Sequence, residues 1–156
     1  MDDFAAFARL LDALRPWLDQ LVIIGGWAHR LHRFHPSAHV PAHKPVRTKD
    51  ADVAFSLSTP LKGDIGAALK AADFHEESSV EFTPPVTEYR LGDDGDGFFA
   101  EFLVPLRGSG VKRNGQPDAT TARAGVTAQK LRHLELLLES PWIVRVSRRK
   151  VFPHRV

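Results

Sequence analysis

The chain has 156 residues, the length of one ordinary domain, and it can bury a hydrophobic core without disulfides or a structural metal. Hydrophobic residues make up 43% and charged residues 26% of the sequence, proportions that argue against disorder and membrane insertion. The net charge of +2 is too small to indicate nucleic-acid binding, although a pI of about 9.2 leaves a weak tendency towards it. We therefore expect residues 1–156 to form a single domain.

The absence of cysteine excludes disulfides, thiolate zinc sites and a thiol nucleophile. The N-terminal segment begins with acidic residues, and Asp12 and Arg15 interrupt its apolar run, a pattern that differs from a signal peptide. No stretch approaches the roughly 20 apolar residues that a membrane span requires. A cytoplasmic location without membrane contact is the expectation.

The first part of the chain predicts a helix, a strand and a second helix. Apolar residues at three- and four-residue steps predict a helix over residues 4–18, with Asp2 or Asp3 as its N-cap. The short branched run Leu21–Ile24 predicts a buried strand, which Gly25-Gly26 ends. A helix is expected over residues 27–34, and the prolines and histidines of residues 35–45 indicate a loop.

The middle of the chain alternates strand and turn signals. A strand over residues 52–57 precedes Ser58-Thr59-Pro60, which indicates a helix start, and that helix is expected to continue to about Ala72. Short strands are expected at residues 80–82 and 86–91. The GDDGDG run at residues 92–97 is a strong turn signal, so the strand expected at residues 98–106 should form a hairpin with its predecessor.

The last third is less regular in its pattern. Residues 108–124 are rich in Gly, Asn, Asp, Thr and Pro, which indicates a long loop or a pair of short irregular pieces. Leucines at positions 131, 134 and 138 predict a helix over residues 127–139. The basic tail at residues 145–155 is typical of a solvated face, with an RNA contact as the alternative.

Asp50 and Asp52 follow the Gly25-Gly26 turn on a predicted strand. Residues two apart in a strand point to the same side, so the two carboxylates should project together. Paired carboxylates are suited to holding a divalent cation.

This order of elements resembles the nucleotidyltransferase superfamily with the DNA-polymerase-beta-type palm. The resemblance rests on VIIGG at residues 22–26, DAD at residues 50–52 and AEFLV at residues 100–104. The Arg-x-Thr-x-Asp-x-Asp spelling from Arg47 to Asp52 is similar to abortive-infection-type toxins and related bacterial proteins. The resemblance to the superfamily covers roughly residues 5–140. It implies an α/β (α+β) fold, a minimal palm with a mixed, mainly antiparallel sheet flanked by helices.

The resemblance also implies which residues bind a nucleoside triphosphate. Gly25 and Gly26 would let the backbone approach the triphosphate, with the amides of the following helix pointing at its oxygens. Arg47 and Thr48 would help to position the nucleotide. Together these residues form the expected nucleotide-binding set.

The implied metal ligands are Asp50, Asp52 and Glu101, which would hold two Mg²⁺ ions. Glu101 would act as the third ligand or as the general base for the attacking hydroxyl. The family more often has Asp at this position, so Glu101 departs from the pattern by one methylene. The interval from Gly26 to Asp50 is also longer than in compact members, and we expect the chain to lack the helical extension that commonly follows the palm.

The implied activity is the transfer of a nucleoside monophosphate to a hydroxyl on RNA, a protein or a small molecule, with a toxin-antitoxin role as one setting. A partner protein could supply acceptor binding. The alternative is a non-catalytic module that binds a nucleotide or a partner on a degenerate palm. A third hypothesis is an RNA-binding domain that uses the basic tail.

Several other motifs admit a chemical interpretation, but a structural one is favoured for each. The histidines crowd one region without matching a zinc motif, which favours a solvated or phosphate-facing role. Arg30 and Arg33 could reach a triphosphate, although exposed surface arginines are the simpler interpretation. DDGDGFFAEF lacks the glycine and glutamate of a calcium loop, and GSGVKRNG lacks the spacing of a phosphate loop, so a turn and a flexible loop are expected.

Overall fold

The computed structural model describes residues 2–45, 47–56, 61–79, 85–93 and 97–145. Four α-helices and seven strands occur in these ranges. The helices are α1 (Asp3–Ala13), α2 (Gly25–Leu31), α3 (Ile65–Ala71) and α4 (Glu135–Leu138), with short 3-10 helices at Arg15–Trp17 and His32–Phe34. The strands are β1 (Leu21–Ile24), β2 (Asp50–Phe55), β3 (Phe74–Ser79), β4 (Val86–Leu91), β5 (Phe99–Pro105), β6 (Thr120–Arg123) and β7 (Val126–Leu131).

The strands form one mixed sheet, in which β2 and β5 are central. β2 pairs with β1 in the antiparallel direction and with β5 in the parallel direction. The other edge of β5 pairs with β4 in the antiparallel direction and with β7 in the parallel direction. β4 also pairs with β3, and β7 with β6, both in the antiparallel direction. The expected mixed, mainly antiparallel sheet with helices is therefore confirmed.

One side of the sheet, here called the core face, carries the main hydrophobic core. Alternate residues of β2 and β5, among them Val53 and Phe102, point to this side and are fully buried. α1 and α3 supply Phe7, Leu10 and Ile65 to the same cluster. The period-2 alternation of the strands thus places every second side chain of β2 and β5 in the core.

The opposite side of the sheet, here called the site face, divides into two halves. At one end Ala54 and Leu103 form a small apolar cluster with Ile24 and Leu134. At the other end the same alternation presents Asp52 and its neighbours on β5. This division places the acidic residues where the apolar cluster stops.

The prediction of a helix at residues 127–139 is wrong for most of this range. Val126–Leu131 is strand β7, and the helix is limited to Glu135–Leu138. Val126 and Ala128 are buried in alternation, and β7 forms hydrogen-bonded ladders with both β5 and β6. Leu131, part of the helical leucine pattern, is 41% exposed, so the pattern is not a buried helical stripe.

The adjoining region, expected as irregular, contains strand β6, which forms a hairpin with β7 through Ala124 and Gly125. Both turn residues have positive φ, at 48° and 79°. The remainder, residues 108–119, contains only an isolated bridge between Val111 and Pro117. The irregular-loop prediction therefore holds for about two thirds of the segment and is wrong for Thr120–Arg123.

Several elements begin at residues other than the predicted ones. The third helix begins at Ile65, after the N-cap Asp64, and not at the hydroxyl cap expected at residues 58–60, which lie outside the described ranges. Asp2 is the N-cap residue of α1, but its side chain makes no capping hydrogen bond. β2 begins at Asp50, two residues earlier than expected, and β3 was not predicted at all.

The strand expected at residues 80–82 and the centre of the GDDGDG turn lie outside the described residues, as does the basic tail beyond Arg145. The antiparallel pairing of Tyr89 with Ala100 and of Arg90 with Phe99 confirms the hairpin on either side of that turn. Within the described ranges, no helix is long and apolar enough to cross a membrane.

Candidate active site

The central pair of strands brings Asp50, Asp52 and Glu101 together. Asp52 is the register partner of Glu101 in the parallel β2–β5 ladder, and Asp50 lies two residues earlier on the same face. The three side chains therefore share the site face. All three residues are only partly buried, so solvent can reach this acidic cluster.

Gly25 lies directly against the Asp52 carboxylate. A β-carbon built on Gly25 would lie 2.0 Å from Oδ2 of Asp52, and Gly25 has a φ of 63°. Both the contact and the left-handed backbone favour glycine at this position. The first turn of α2 is thus in contact with the acidic cluster.

The next glycine makes the equivalent contact with the segment before β2. A β-carbon on Gly26 would lie 2.2 Å from Cγ2 of Thr48. Arg47, the preceding residue, is exposed. The segment from Thr48 to Asp52 therefore runs along the start of α2, where Gly25 meets Asp52 and Gly26 meets Thr48.

Burial and mutual repulsion raise the pKa of two of the three carboxyl groups. Burial, followed by the charges of Asp52, Glu88 and Asp50, raises the pKa of Glu101 to about 7. Burial and the charge of Asp50 also raise the pKa of Asp52. A bound cation would offset this repulsion, because it favours the ionised form of each carboxylate.

Glu88 and Gln129 belong to the surroundings of Glu101 but did not emerge from the sequence. Glu88 on β4 contributes to the raised Glu101 pKa and forms an ion pair with Arg90, whereas Gln129 on β7 opposes the rise through its amide. The alternation of buried Thr87, Tyr89 and Leu91 could have placed Glu88 on the site face. Gln129 could not be found, because β7 was expected to be helical.

The prediction of surface arginines on the second helix is wrong for Arg30, which is only 6% exposed. Arg33 is partly buried and donates hydrogen bonds to the carbonyl oxygens of Pro41 and His43. Arg33 therefore holds the histidine-rich loop against the helix. Arg30 has a different environment, because its guanidinium lies between the rings of Phe4 and Trp27.

Three histidines stack in a row beside α2. The ring centroids of His29 and His32 are 5.5 Å apart, and those of His29 and His43 are 6.3 Å apart. In the part of the chain that the structure describes, no set of three or more His, Cys, Asp or Glu side chains is preformed to hold a metal ion. The histidine row therefore supplies no argument for a transition-metal site.

The donor chemistry of the acidic cluster nevertheless fits Mg²⁺. Asp50, Asp52 and Glu101 offer only carboxylate oxygens, the hard ligands that this ion prefers. Asp52 and Glu101 are register partners, and Asp50 lies on the same face two residues before Asp52. These three residues are the ones that would hold the ion.

Comparison with known proteins gives one match. A nucleotidyltransferase family model matches residues 2–154, which is nearly the whole chain. No curated protein and no solved structure matches the sequence. The chain therefore belongs to the nucleotidyltransferase family.

Proposed function

We propose that the protein is a metal-dependent nucleotidyltransferase, which moves a nucleoside monophosphate from a nucleoside triphosphate to a hydroxyl group. The observation that carries this proposal is the grouping of Asp50, Asp52 and Glu101 against Gly25, in a chain that belongs to the family. We further propose that the sheet is the DNA-polymerase-beta-type palm. The acceptor would be RNA, a protein or a small molecule.

In the reaction, the acceptor oxygen bonds to the α-phosphorus of the nucleotide, and the bond from that phosphorus to the bridging oxygen breaks, so that pyrophosphate leaves. In this proposal Glu101 accepts the hydroxyl proton, a role supported by its position beside Asp52 in the β2–β5 ladder. Asp50 and Asp52 would hold the metal. Mg²⁺, when bound, would supply positive charge to the departing pyrophosphate and the attacking oxygen.

The nucleotide would lie along the contact between α2 and the segment that precedes β2. Gly25 and Gly26 let Asp52 and Thr48 lie directly against the first turn of α2, where β-carbons would displace them. Thr48 offers a hydroxyl group and Arg47 an exposed guanidinium at the same place. These four residues bind and orient the substrate in the proposal.

The test is incorporation of labelled nucleotide. Each of the four labelled nucleoside triphosphates is incubated with Mg²⁺, cell extract and wild-type protein, Asp50→Asn or Asp52→Asn. Loss of either carboxylate should lower labelling by at least about a hundredfold. Asp93→Asn, at an exposed position in the β4–β5 turn, is the matched control and should label normally. Equal labelling by wild type and both site variants, with folding verified by circular dichroism, would refute the catalytic role.

A second candidate is a binding module without turnover. The glutamate at position 101 favours it, because the family more often has Asp there and the longer side chain departs from the usual metal-binding set. This candidate expects binding of a nucleotide or a partner protein in the same cleft but no labelled product. Calorimetric binding of ATP together with no incorporation from any of the four triphosphates would favour the module.

The toxin-antitoxin setting is a finer proposal, which the Arg-x-Thr-x-Asp-x-Asp spelling supports. It expects that induced expression of the chain in bacteria stops growth and that Asp50→Asn relieves the arrest. If the wild type and the Asp50→Asn variant arrest growth equally, toxicity does not depend on the proposed chemistry.

A further inference from the structure

The row of carboxylates on the site face extends beyond Asp52 and Glu101. The pairing of β4 with β5 places Glu88 beside Glu101, one position beyond the paired residues of that ladder. Glu77 on β3 is the register partner of Glu88. Residues opposite each other in paired strands lie on the same side of the sheet. The site face therefore carries one row of four carboxylates across β2, β5, β4 and β3.

Arg90 binds the outer two carboxylates of this row. Its Nε lies 2.8 Å from Oε2 of Glu77, and its Nη2 donates a hydrogen bond to Oε2 of Glu88. Glu77 also forms an ion pair of 3.1 Å with Nε2 of His75. The side chains of Arg90 and Glu88 are only 18% and 13% exposed, so solvent screens their ion pair weakly. Arg90 therefore holds Glu88 in a fixed position.

An aromatic ring separates this ion pair from the first aspartate of the site. Phe99 is the register partner of Asp50 on one side and of Arg90 on the other. The central carbon of the Arg90 guanidinium lies 4.8 Å from the Phe99 ring centroid, a cation–π distance. The two ion pairs of Arg90 described above are made with residues of β3 and β4. The row is thus divided into a part that Arg90 neutralises and a part that keeps its negative charge.

The division decides how much negative charge a bound cation meets. The three proposed metal ligands leave two Mg²⁺ ions with a net positive charge, whereas a fourth carboxylate would cancel it. The number of charged ligands also sets how tightly an oxygen site binds a divalent cation. A site that included Glu88 would bind the cation more tightly and attract a triphosphate less.

We propose that Arg90 is a positioning residue, which keeps Glu88 out of the metal site by holding it in an ion pair. A bound cation would then meet Asp50, Asp52 and Glu101 alone. The inference rests on the proposed function, since it concerns the cation that this function requires. Arg90 acts through Glu88 and has no contact with the substrate in this proposal.

Binding of Mn²⁺ without nucleotide tests the inference separately from catalysis. This ion takes the same oxygen ligands as Mg²⁺, and electron paramagnetic resonance measures its free concentration. In the full-length protein, Arg90→Gln should tighten Mn²⁺ binding about tenfold, because it releases Glu88. Arg113→Gln, at an exposed position in the loop after β5, removes the same charge elsewhere and should change affinity by less than about twofold.

The direction of the change separates positioning from structural damage, because damage would weaken the site. Unchanged or weaker Mn²⁺ binding in folded Arg90→Gln would overturn the inference. Arg90→Lys keeps the positive charge, so its affinity should stay within about threefold of the wild type.

A double-mutant cycle tests whether Arg90 acts through Glu88. In the wild-type background Glu88→Gln should change Mn²⁺ affinity by less than about threefold, because that carboxylate is already held aside. In the Arg90→Gln background the same change should weaken binding about tenfold. Equal effects in the two backgrounds would mean that only the overall charge matters, and the inference would be wrong.

The single change Glu88→Gln covers the case in which Arg90→Gln does not fold. If Glu88→Gln weakens Mn²⁺ binding as much as Asp52→Asn does, Glu88 is itself a ligand and the inference is refuted. Titration with inorganic tripolyphosphate in EDTA examines a different role for Arg90. If Arg90→Gln weakens tripolyphosphate binding and leaves Mn²⁺ affinity unchanged, Arg90 serves an anion and the inference is wrong.

The two proposals fail in different ways. Tighter Mn²⁺ binding in Arg90→Gln that is reversed by Glu88→Gln, in a protein that transfers no nucleotide, would refute the catalytic proposal and support this one. Labelling that depends on Asp50, in a protein whose Mn²⁺ affinity is indifferent to Arg90, would do the reverse. Absence of Mn²⁺ binding in both the wild type and Arg90→Gln would refute this inference and the metal dependence of the proposed function together.

Discussion

Gly26 and Thr48 are in such close contact that a single β-carbon would not fit between them. The β-carbon position on Gly26 lies 2.2 Å from Cγ2 of Thr48 and 3.1 Å from its Cβ. This contact aligns the segment that leads into Asp50 with the helix that follows β1. The geometry of the candidate site therefore depends on the absence of one methyl group at residue 26.

Gly26→Ala should destabilise the protein, although alanine is the better helix former by about 1 kcal/mol. Overpacking of this kind costs about 1–3 kcal/mol, which exceeds the gain in helix propensity. Thr48→Ser removes the obstructing methyl, so the double variant should recover about 1 kcal/mol relative to the sum of the single changes. Urea unfolding measures the free energy of unfolding of the wild type, the two single variants and the double variant. Thr121→Ser on β6 is the control, and it should combine additively with Gly26→Ala.

Glu101 should make the metal-free protein less stable as pH rises. Its folded pKa of about 7 lies above the ordinary value of 4.5, so the folded state binds more protons than the unfolded state between these values. Stability should therefore fall as pH rises through this window, because ionisation of Glu101 is disfavoured in the folded state. Glu101→Gln should flatten this slope and exceed the wild type in stability at pH 7.5.

The measurement is urea unfolding in EDTA across pH 4.5 to 7.5. Glu139→Gln, at an exposed position, should retain the wild-type slope. A slope that persists unchanged in Glu101→Gln would assign the pH dependence to another group.

Tyr89 links strand β4 to strand β7 across the end of β5. Its hydroxyl oxygen accepts a hydrogen bond of 2.8 Å from the backbone N–H of Thr127, and Tyr89 is 3% exposed. Tyr89→Phe leaves that amide without its acceptor, which should cost about 1–3 kcal/mol. Hydrogen exchange of the Thr127 amide should accelerate. The Lys130 amide, which donates to the Ala119 carbonyl oxygen, is the control on the same strand, and equal acceleration at both would indicate global destabilisation.

Asp64 caps helix α3 through a hydrogen bond of 2.9 Å from the Ala67 amide to its Oδ1. Asp64→Ala should cost about 0.5–2 kcal/mol of stability, whereas Asp64→Ser should retain most of it, since serine also caps. Thermal unfolding distinguishes the two variants. Equal loss in both would mean that the carboxylate acts through something other than the cap.

The strands around the site were accessible to sequence reasoning because their signals are local. Leu21–Ile24 is short and branched, Gly25 ends it, and the Asp50–Asp52 pair marks the strand that follows. Glu101 was identified from the resemblance, which implies a third acidic residue on a later strand. By contrast, β7 was mistaken for a helix, since leucines at helical spacing outweighed a weak alternation that only neighbouring strands make favourable.

The sequence by itself determined the acidic residues, the glycine turn and the mixed class of the fold, because each depends on residue type and on spacing within a few positions. Tertiary structure decided which of these residues meet. The parallel register of β2 and β5 sets Asp52 beside Glu101, and packing of α2 against the preceding segment sets Gly26 against Thr48. It also buried Arg30 between Phe4 and Trp27. Such contacts join residues that are distant along the chain, so no local pattern records them.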